Sequence, residues 1–216
     1  MAEKSIVVLI SGSGSNLQAI IDAIDCGRIH GRISAVVSNK PDVFGLERAN
    51  KAGIPQRVIN HKEYAERETF DAAMQECIDQ YQPDLVILAG FMRILTPEFV
   101  RHYQGKILNI HPSLLPKFRG LHTHQRALEA GDKVHGCTVH FVTEELDGGP
   151  LAIQAPIPVL ANDTENTLQQ RVHLSEHQIY PLAVEWFCSG KLAHTSGQVQ
   201  LDGTTLPPEG FQFIQE

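Results

Sequence analysis

Cysteine is scarce in this sequence: four residues in 216, at positions 26, 77, 137 and 188. They are widely separated, so no CxxC or CxxxxC pair exists and a cysteine-based zinc site is disfavoured. The pattern predicts reduced thiols, as in a cytoplasmic protein. Long apolar runs are missing as well. The opening MAEKSIVVLISG holds one short apolar run, Ile6–Ile10, before Ser11. A signal peptide needs ~7–15 apolar residues and a membrane helix ~20, so the expected location is the cytoplasm and no membrane span is predicted. Basic residues are outnumbered: 18 Lys and Arg against 25 Asp and Glu give a net charge of −7 and a pI near 5.9. That balance argues against a general nucleic-acid binder while leaving room for a local anion site. Neither HExxH nor GxSxG occurs. Zinc hydrolysis and covalent catalysis through a serine elbow are therefore disfavoured, and the expectation is a site without metal.

What is present reads as an α/β protein. Hydrophobic residues make up 42% and charged residues 20%, ordinary values for a globular chain. A chain of this length buries roughly 70% of its unfolded surface, enough to fold without disulfide or metal staples. Apolar runs predict strands at Ile6–Ile10, Ile33–Ser38, Gln56–Ile59, Leu85–Ala89 and Ile107–Ile110. Helical spacing follows in Leu17, Ile20, Ile21 and Ile24, then over Leu46–Ala52 and Tyr64–Tyr81, the last stopped by Pro83. This alternation predicts a Rossmann-like, mostly parallel sheet with helices on both faces. The pattern then changes to a helix at Thr123–Ala130, alternating strands at Cys137–Val142 and Leu151–Ile157, and a long helix over Thr164–Trp186, with Pro181 the place where it would break. These C-terminal strands make the sheet mixed. A short hairpin and a loose end are expected in the tail. No repeat, low-complexity segment or linker interrupts the chain, which predicts one domain over 1–216.

Two stretches carry chemistry. SGSGSN, Ser11–Asn16, joins the first strand to the first helix. Gly12 and Gly14 allow a tight turn, and the backbone N–H groups of Gly14, Ser15 and Asn16 lie where a helix N-terminus favours an anion. A dinucleotide fingerprint would need a third glycine where Leu17 stands, and a Walker A loop would need Lys followed by Ser or Thr. A small phosphate monoester fits better than NAD or ATP. The alternative is a plain turn with Ser or Asn capping. The second stretch is LNIHPSLLP, Leu108–Pro116. Alternation along a strand sends Asn109 and His111 to the same face, at the carboxyl end where open α/β sheets bind ligands. Asp147, in EELDGGP, lies in a glycine-rich turn that can bring a carboxylate to His111. Asn, His and Asp without a protein nucleophile predict direct transfer between two bound substrates. Asn holds an oxyanion, His supplies charge or a proton, and Asp tunes His. Of the other histidines, His122 and His124 are expected to hydrogen-bond within loops and His140 to be a partly buried strand residue.

The segments VVLISGSGSNLQAIIDA, VSNKPDVFGLERA, PDLVILAGFMRIL, LNIHPSLLPKFRGLHTHQRALEAGDKVHGCTVHFVTEELDGGP and EHQIYPLAVEWF together resemble the glycinamide ribonucleotide transformylases, folate-dependent enzymes of purine synthesis. The likeness runs in order through nearly the whole chain. It implies the formyltransferase fold and transfer of a formyl group from 10-formyltetrahydrofolate to the amine of 5-phosphoribosylglycinamide. It implies catalytic roles for Asn109, His111 and Asp147. The phosphate loop would be Gly14, Ser15 and Asn16, and the sugar and substrate element His173, Leu174, Ser175 and Glu176. The folate pocket would comprise Arg67, Met92, Arg93, Ile94 and Leu95, with Asn109 and the loop Thr143, Glu144, Glu145, Leu146 and Asp147. By the same likeness 1–100 is a phosphosugar-binding half, 101–190 a catalytic and folate-binding half, and 191–216 a tail. Ser13 stands where the family more often has Asn, and Arg119 where it often has Pro.

Three alternatives remain at this level. A methionyl-tRNA formyltransferase would carry a further C-terminal RNA-binding domain, for which few residues follow Trp186. A formyltetrahydrofolate deformylase would carry an N-terminal regulatory domain, for which there is no room before Ile6. A silent phosphosugar- or folate-binding module would have no need of the Asn109, His111 and Asp147 set.

Overall fold

The β-branched run Ile6-Val7-Val8 lies within β1 (Lys4–Ile10), which buries every residue from Ser5 to Ile10. In this computed structural model, which describes residues 3–214, the chain forms two compact units that divide between Asn109 and Ile110. The fold is mixed α/β with a mostly parallel central sheet.

In the N-terminal unit β1 pairs in parallel with β2 (Gly31–Ser38), and β2 with β3 (Gln56–Val58). On its other side β1 pairs in parallel with β4 (Leu85–Leu88), and β4 with β5 (Ile107–His111). The order is therefore β3-β2-β1-β4-β5. The chain steps outward from β1 and then returns to its far side. That reversal is the switch point where the loops after two neighbouring strands part, and ligands of open α/β sheets bind in the resulting crevice. Here those loops are 11–14 after β1 and 89–96 after β4. Helices α1 (Ser15–Asp25), α2 (Phe44–Lys51), α3 (Arg67–Asp79) and α4 (Pro97–His102) fill the connections. α1 buries Leu17, Ile20 and Ile21, the stripe its spacing predicts.

Two local differences from expectation have identifiable causes. The predicted helix from Tyr64 begins only at Arg67. Residues His61–Glu63 instead form a 3-10 turn capped by the Asn60 side chain, which accepts the Lys62 N–H. α4 lies outside the elements that the apolar spacing predicts. Its signal was present in Thr96-Pro97-Glu98, an N-cap followed by proline at the first helical position, but the helix is short.

In the C-terminal unit, α5 (Thr123–Glu129) precedes an antiparallel pair, β6 (Val134–Phe141) and β7 (Leu151–Pro158). α6 (Glu165–Cys188) packs on both strands. It starts at a reciprocal cap between Thr164 and Thr167. It runs through Pro181 without a break: Tyr180, Pro181, Ala183 and Val184 are buried, so packing outweighs the hydrogen bond that proline removes. The tail is more ordered than a hairpin with a loose end. β8 (Leu192–Thr195), β9 (Gln198–Leu201) and β10 (Thr204–Thr205) form an antiparallel sheet. β11 (Phe211–Gln212) then pairs in parallel with β7 and sets Phe211 against Trp186, ring centres 5.2 Å apart. Among the described residues no helix is long and apolar enough to cross a membrane.

Candidate active site

The glycine loop is built by close backbone approach. Gly14 caps α1 in the left-handed region (φ 68°), and a Cβ there would lie 2.7 Å from Gly45 Cα. The Gly45 N–H donates to the Gly12 carbonyl at 3.0 Å, and Arg48 Nε donates to the Ser13 carbonyl at 2.9 Å. Ser15 and Asn16 are the first two residues of α1, so their N–H groups belong to the turn whose donors the helix itself leaves over. The Asn16 side chain is buried. The turn stands where the sequence predicts a helix start, with Ser15 as the first helical residue.

The segment after β4 leaves two apolar side chains in solvent: Met92 is 65% exposed and Ile94 54% exposed. Leu95 is buried, and Arg93 lies over the Phe70 ring, 4.9 Å from its centre. Arg67 opens α3 as an exposed cation.

β5 carries Asn109 and His111 two positions apart, hence on one face of the strand. His111 is the last residue of that strand and is buried. Its Nδ1 lies 3.5 Å from Asp147 Oδ2, with the two side chains 7% and 9% exposed. Its Nε2 lies 3.0 Å from the Phe118 carbonyl oxygen. A carbonyl only accepts, so Nε2 carries a hydrogen. Both ring nitrogens thus face oxygen acceptors. Asp147 sits at φ 49°, a conformation uncommon for a non-glycine residue, and its Oδ2 also accepts the Gly120 N–H at 2.8 Å. The turn beneath it requires glycine: a Cβ at Gly149 would fall 1.8 Å from the Phe141 carbonyl oxygen. His140 Nε2 stands 3.9 Å from Asp147 Oδ1. Burial holds that imidazole well below its usual range, and its Nδ1 donates to the Phe141 carbonyl, so at neutral pH His140 brings no positive charge to Asp147.

The rest of the loop is exposed at Glu144, Glu145 and Leu146, and intermediate at Thr143. Glu145 pairs with Arg119. On α6 the four residues His173–Glu176 do not share a face. His173 and Glu176, three apart, lie on adjoining sides, with Glu176 buried; Leu174 is 62% exposed and turned away from Glu176.

The structure adds partners that the sequence did not single out. The Gly120 N–H and the Phe118 carbonyl are backbone groups, invisible to residue type. His124 is not a loop residue: it lies in the first turn of α5, buried, with Nδ1 3.2 Å from Nε2 of buried His135 on β6. Burial, and then the neighbouring imidazoles, hold His124 down to about 4. Burial, with His111 adding to it, does the same for His135, also about 4, against the opposing pull of Asp132 and the Pro112 carbonyl. Among the described residues no group of three or more His, Cys, Asp or Glu is placed to hold a metal ion, and the four cysteines are free.

The sequence matches the formyl transferase family over residues 4–184, a stretch that runs through the boundary between the two units. It is 56% identical over 207 residues to the phosphoribosylglycinamide formyltransferase of Escherichia coli (strain K12), covering 96% of this chain and 98% of that one. It is 51% identical over 185 residues to the trifunctional purine biosynthetic protein adenosine-3 of Homo sapiens, covering 86% of this chain and 18% of that protein. Among solved structures, the phosphoribosylglycinamide formyltransferase of Coxiella burnetii superposes with a TM-score of 0.95 at 51% identity, covering 99% of this chain and 100% of that one. The chain belongs to the formyl transferase family.

Proposed function

We propose that this protein is a phosphoribosylglycinamide formyltransferase. It moves the formyl group of 10-formyltetrahydrofolate to the amine of 5-phosphoribosylglycinamide, giving N-formylglycinamide ribonucleotide for purine synthesis in the cytoplasm. The observation that carries this reading is the 56% identity to the Escherichia coli enzyme across 98% of that enzyme's length. Its substrates are small molecules, and the family's formyl donors are folate derivatives.

The assignment of residues follows from chemistry. The N–H groups of Gly14, Ser15 and Asn16 take the substrate phosphate, for which a helix N-terminus is suited. Glu176, with His173 beside it on α6, accepts from the sugar hydroxyls, while Leu174, on the opposite side of the helix, is left out of that contact. Met92, Arg93, Ile94 and Leu95, with the loop Thr143, Glu144, Glu145, Leu146 and Asp147, receive the pterin. Arg67, exposed at the start of α3, faces the glutamate end. On this reading 1–216 is one formyltransferase domain, with 1–100 its phosphosugar-binding half, 101–190 its catalytic and folate-binding half and 191–216 its tail.

In the chemical step the substrate amine attacks the formyl carbon, a C–N bond forms, and the bond from that carbon to folate N10 breaks. One proton leaves the amine and one reaches N10. The oxygen becomes an oxyanion in between. The Asn109 amide donates to it, and His111 in its protonated form supplies charge and a proton. Asp147, whose carboxylate stands at His111 Nδ1, orients the ring and faces the charge it carries in the transfer step. The amine is the nucleophile, so no serine, cysteine or metal-bound water is required.

The test is a turnover assay on the folate with three acceptors: phosphoribosylglycinamide, methionyl-tRNA and water alone. Fast loss of the formyl group only with phosphoribosylglycinamide is expected. Equal turnover with water would make the protein a deformylase, and transfer to the tRNA would make it an RNA-modifying enzyme.

A further inference from the structure

We propose that Ser11 and Asp71 are positioning residues that pin the two ends of the 92–96 segment and thereby set the affinity for the folate; the role rests on the assignment of that segment to the folate. The segment follows β4, at the switch point beside β1, and has no strand or helix to hold it until α4 begins. Its first and last backbone N–H groups are nonetheless taken by buried side chains. Ser11 Oγ accepts the Met92 N–H at 2.8 Å and donates to Asn39 Oδ1 at 2.6 Å. Asp71 Oδ2 accepts the Thr96 N–H at 2.6 Å. Ser11, Asn39 and Asp71 are 5%, 1% and 2% exposed.

The neighbours of these two pins reinforce them. Asn39 is fixed in turn by His61, whose Nδ1 lies 2.7 Å from the Asn39 carbonyl and whose ring meets Phe70 edge-on at 6.5 Å. Phe70 precedes Asp71 on α3 and carries Arg93 over its face. Successive residues of one helical turn therefore support the middle and the end of the segment.

A loop that only joined β4 to α4 would gain little from a buried carboxylate. Burial raises the Asp71 pKa, opposed by the Thr96 bonds and by Arg67 and Arg93. What the pins achieve is a rigid backbone that holds Met92 and Ile94 out in solvent, as a preformed apolar binding surface requires. The orphan Nε–H of Arg93, buried and without a hydrogen-bond partner among the described residues, lies on the same segment and agrees with a surface completed by a ligand.

The experiment compares wild type with Ser11→Ala, Asp71→Ala and Asp71→Asn by steady-state kinetics in both substrates. Loss of one pin is expected to raise the KM for 10-formyltetrahydrofolate about tenfold, with the KM for phosphoribosylglycinamide held within about twofold. Asp71→Asn, whose amide oxygen still accepts from Thr96, is expected to recover most of the loss. An unchanged folate KM, or equal rises for both substrates, overturns the proposal. Should Asp71→Ala not fold, Ser11→Ala decides by the same criterion. Wild-type protein that fails to formylate phosphoribosylglycinamide would refute the proposed function itself, a result separable from unchanged variants of an active enzyme.

Discussion

The Asp147 carboxylate is held more closely by the Gly120 backbone than by the His111 ring: Oδ2 accepts the Gly120 N–H at 2.8 Å and stands 3.5 Å from His111 Nδ1. Two positions before Gly120, the Phe118 carbonyl takes the His111 Nε2–H. Asp147, Gly120, Phe118 and His111 thus close a ring of contacts, and the carboxylate both shapes the segment and faces the imidazole. The two roles separate by substitution. Asp147→Asn keeps an acceptor for Gly120 but removes the charge. It is expected to lower kcat about a hundredfold or more while the KM for phosphoribosylglycinamide changes little. Asp147→Ala loses both functions and is expected to lower the Tm as well. An Asn variant with near-normal kcat would show that the carboxylate serves only the fold of the turn.

Gly14 offers a test of the phosphate loop. A methyl group there meets Gly45 Cα at 2.7 Å and sits on a backbone with φ 68°. Gly14→Ala is expected to cost about 1–3 kcal/mol of stability and to displace the N–H groups that follow. The KM for phosphoribosylglycinamide should rise well above that for the folate. Equal effects on both would argue against an anion site at this turn.

Arg67 is exposed at the first position of α3, where a cation opposes the helix dipole. Its charge acts on Asp71 one turn along the helix, and the partner proposed for it beyond the protein is a flexible anionic glutamate tail. Arg67→Ala is expected to weaken binding of a polyglutamylated folate more than that of an analogue lacking the glutamate. Calorimetric titration of the two ligands measures the difference, and parallel losses would remove the tail contact.

The strands and the anion-favouring turn were legible because their signals are local. Ile6–Ile10 is a β-branched run closed by Gly and Ser, and residue types alone predict a helix N-terminus after it. Asn109 and His111 were legible through the two-residue period of a strand. Asp147 was legible only as a carboxylate in a glycine turn; its 3.5 Å approach to His111 depends on a left-handed conformation that composition does not encode. Backbone partners such as the Gly120 N–H have no residue signature. Ser11 and Asp71 read as a turn serine and a helix carboxylate until the loop they hold is seen. The long helix was legible in its spacing, but the break expected at Pro181 does not occur, because burial of Tyr180, Pro181, Ala183 and Val184 overrides local propensity. β11 went unseen because two residues without a run of their own become a strand only beside β7.

Acid sensitivity gives the last test, through the buried pair His124 and His135. Their facing nitrogens, 3.2 Å apart, can share a hydrogen only while one of them remains unprotonated. Burial lowers both from 6.5 to about 4, so the folded protein keeps the pair neutral where an unfolded chain would take up protons. The sign follows from linkage: as pH falls through 6.5 the unfolded state binds more protons, and stability is lost progressively until about 4. Above 6.5 the pair adds no such penalty. His140, depressed by burial in the same direction, adds to the loss. Thermal unfolding from about pH 7.5 down to about pH 5 stays above the range in which ordinary carboxylates titrate. Over that interval the wild-type Tm is expected to fall more steeply than that of the double variant His124→Gln, His135→Gln, whatever the variant's stability at neutral pH. Parallel curves would place the acid sensitivity elsewhere, and a steeper variant would reverse the sign argued here.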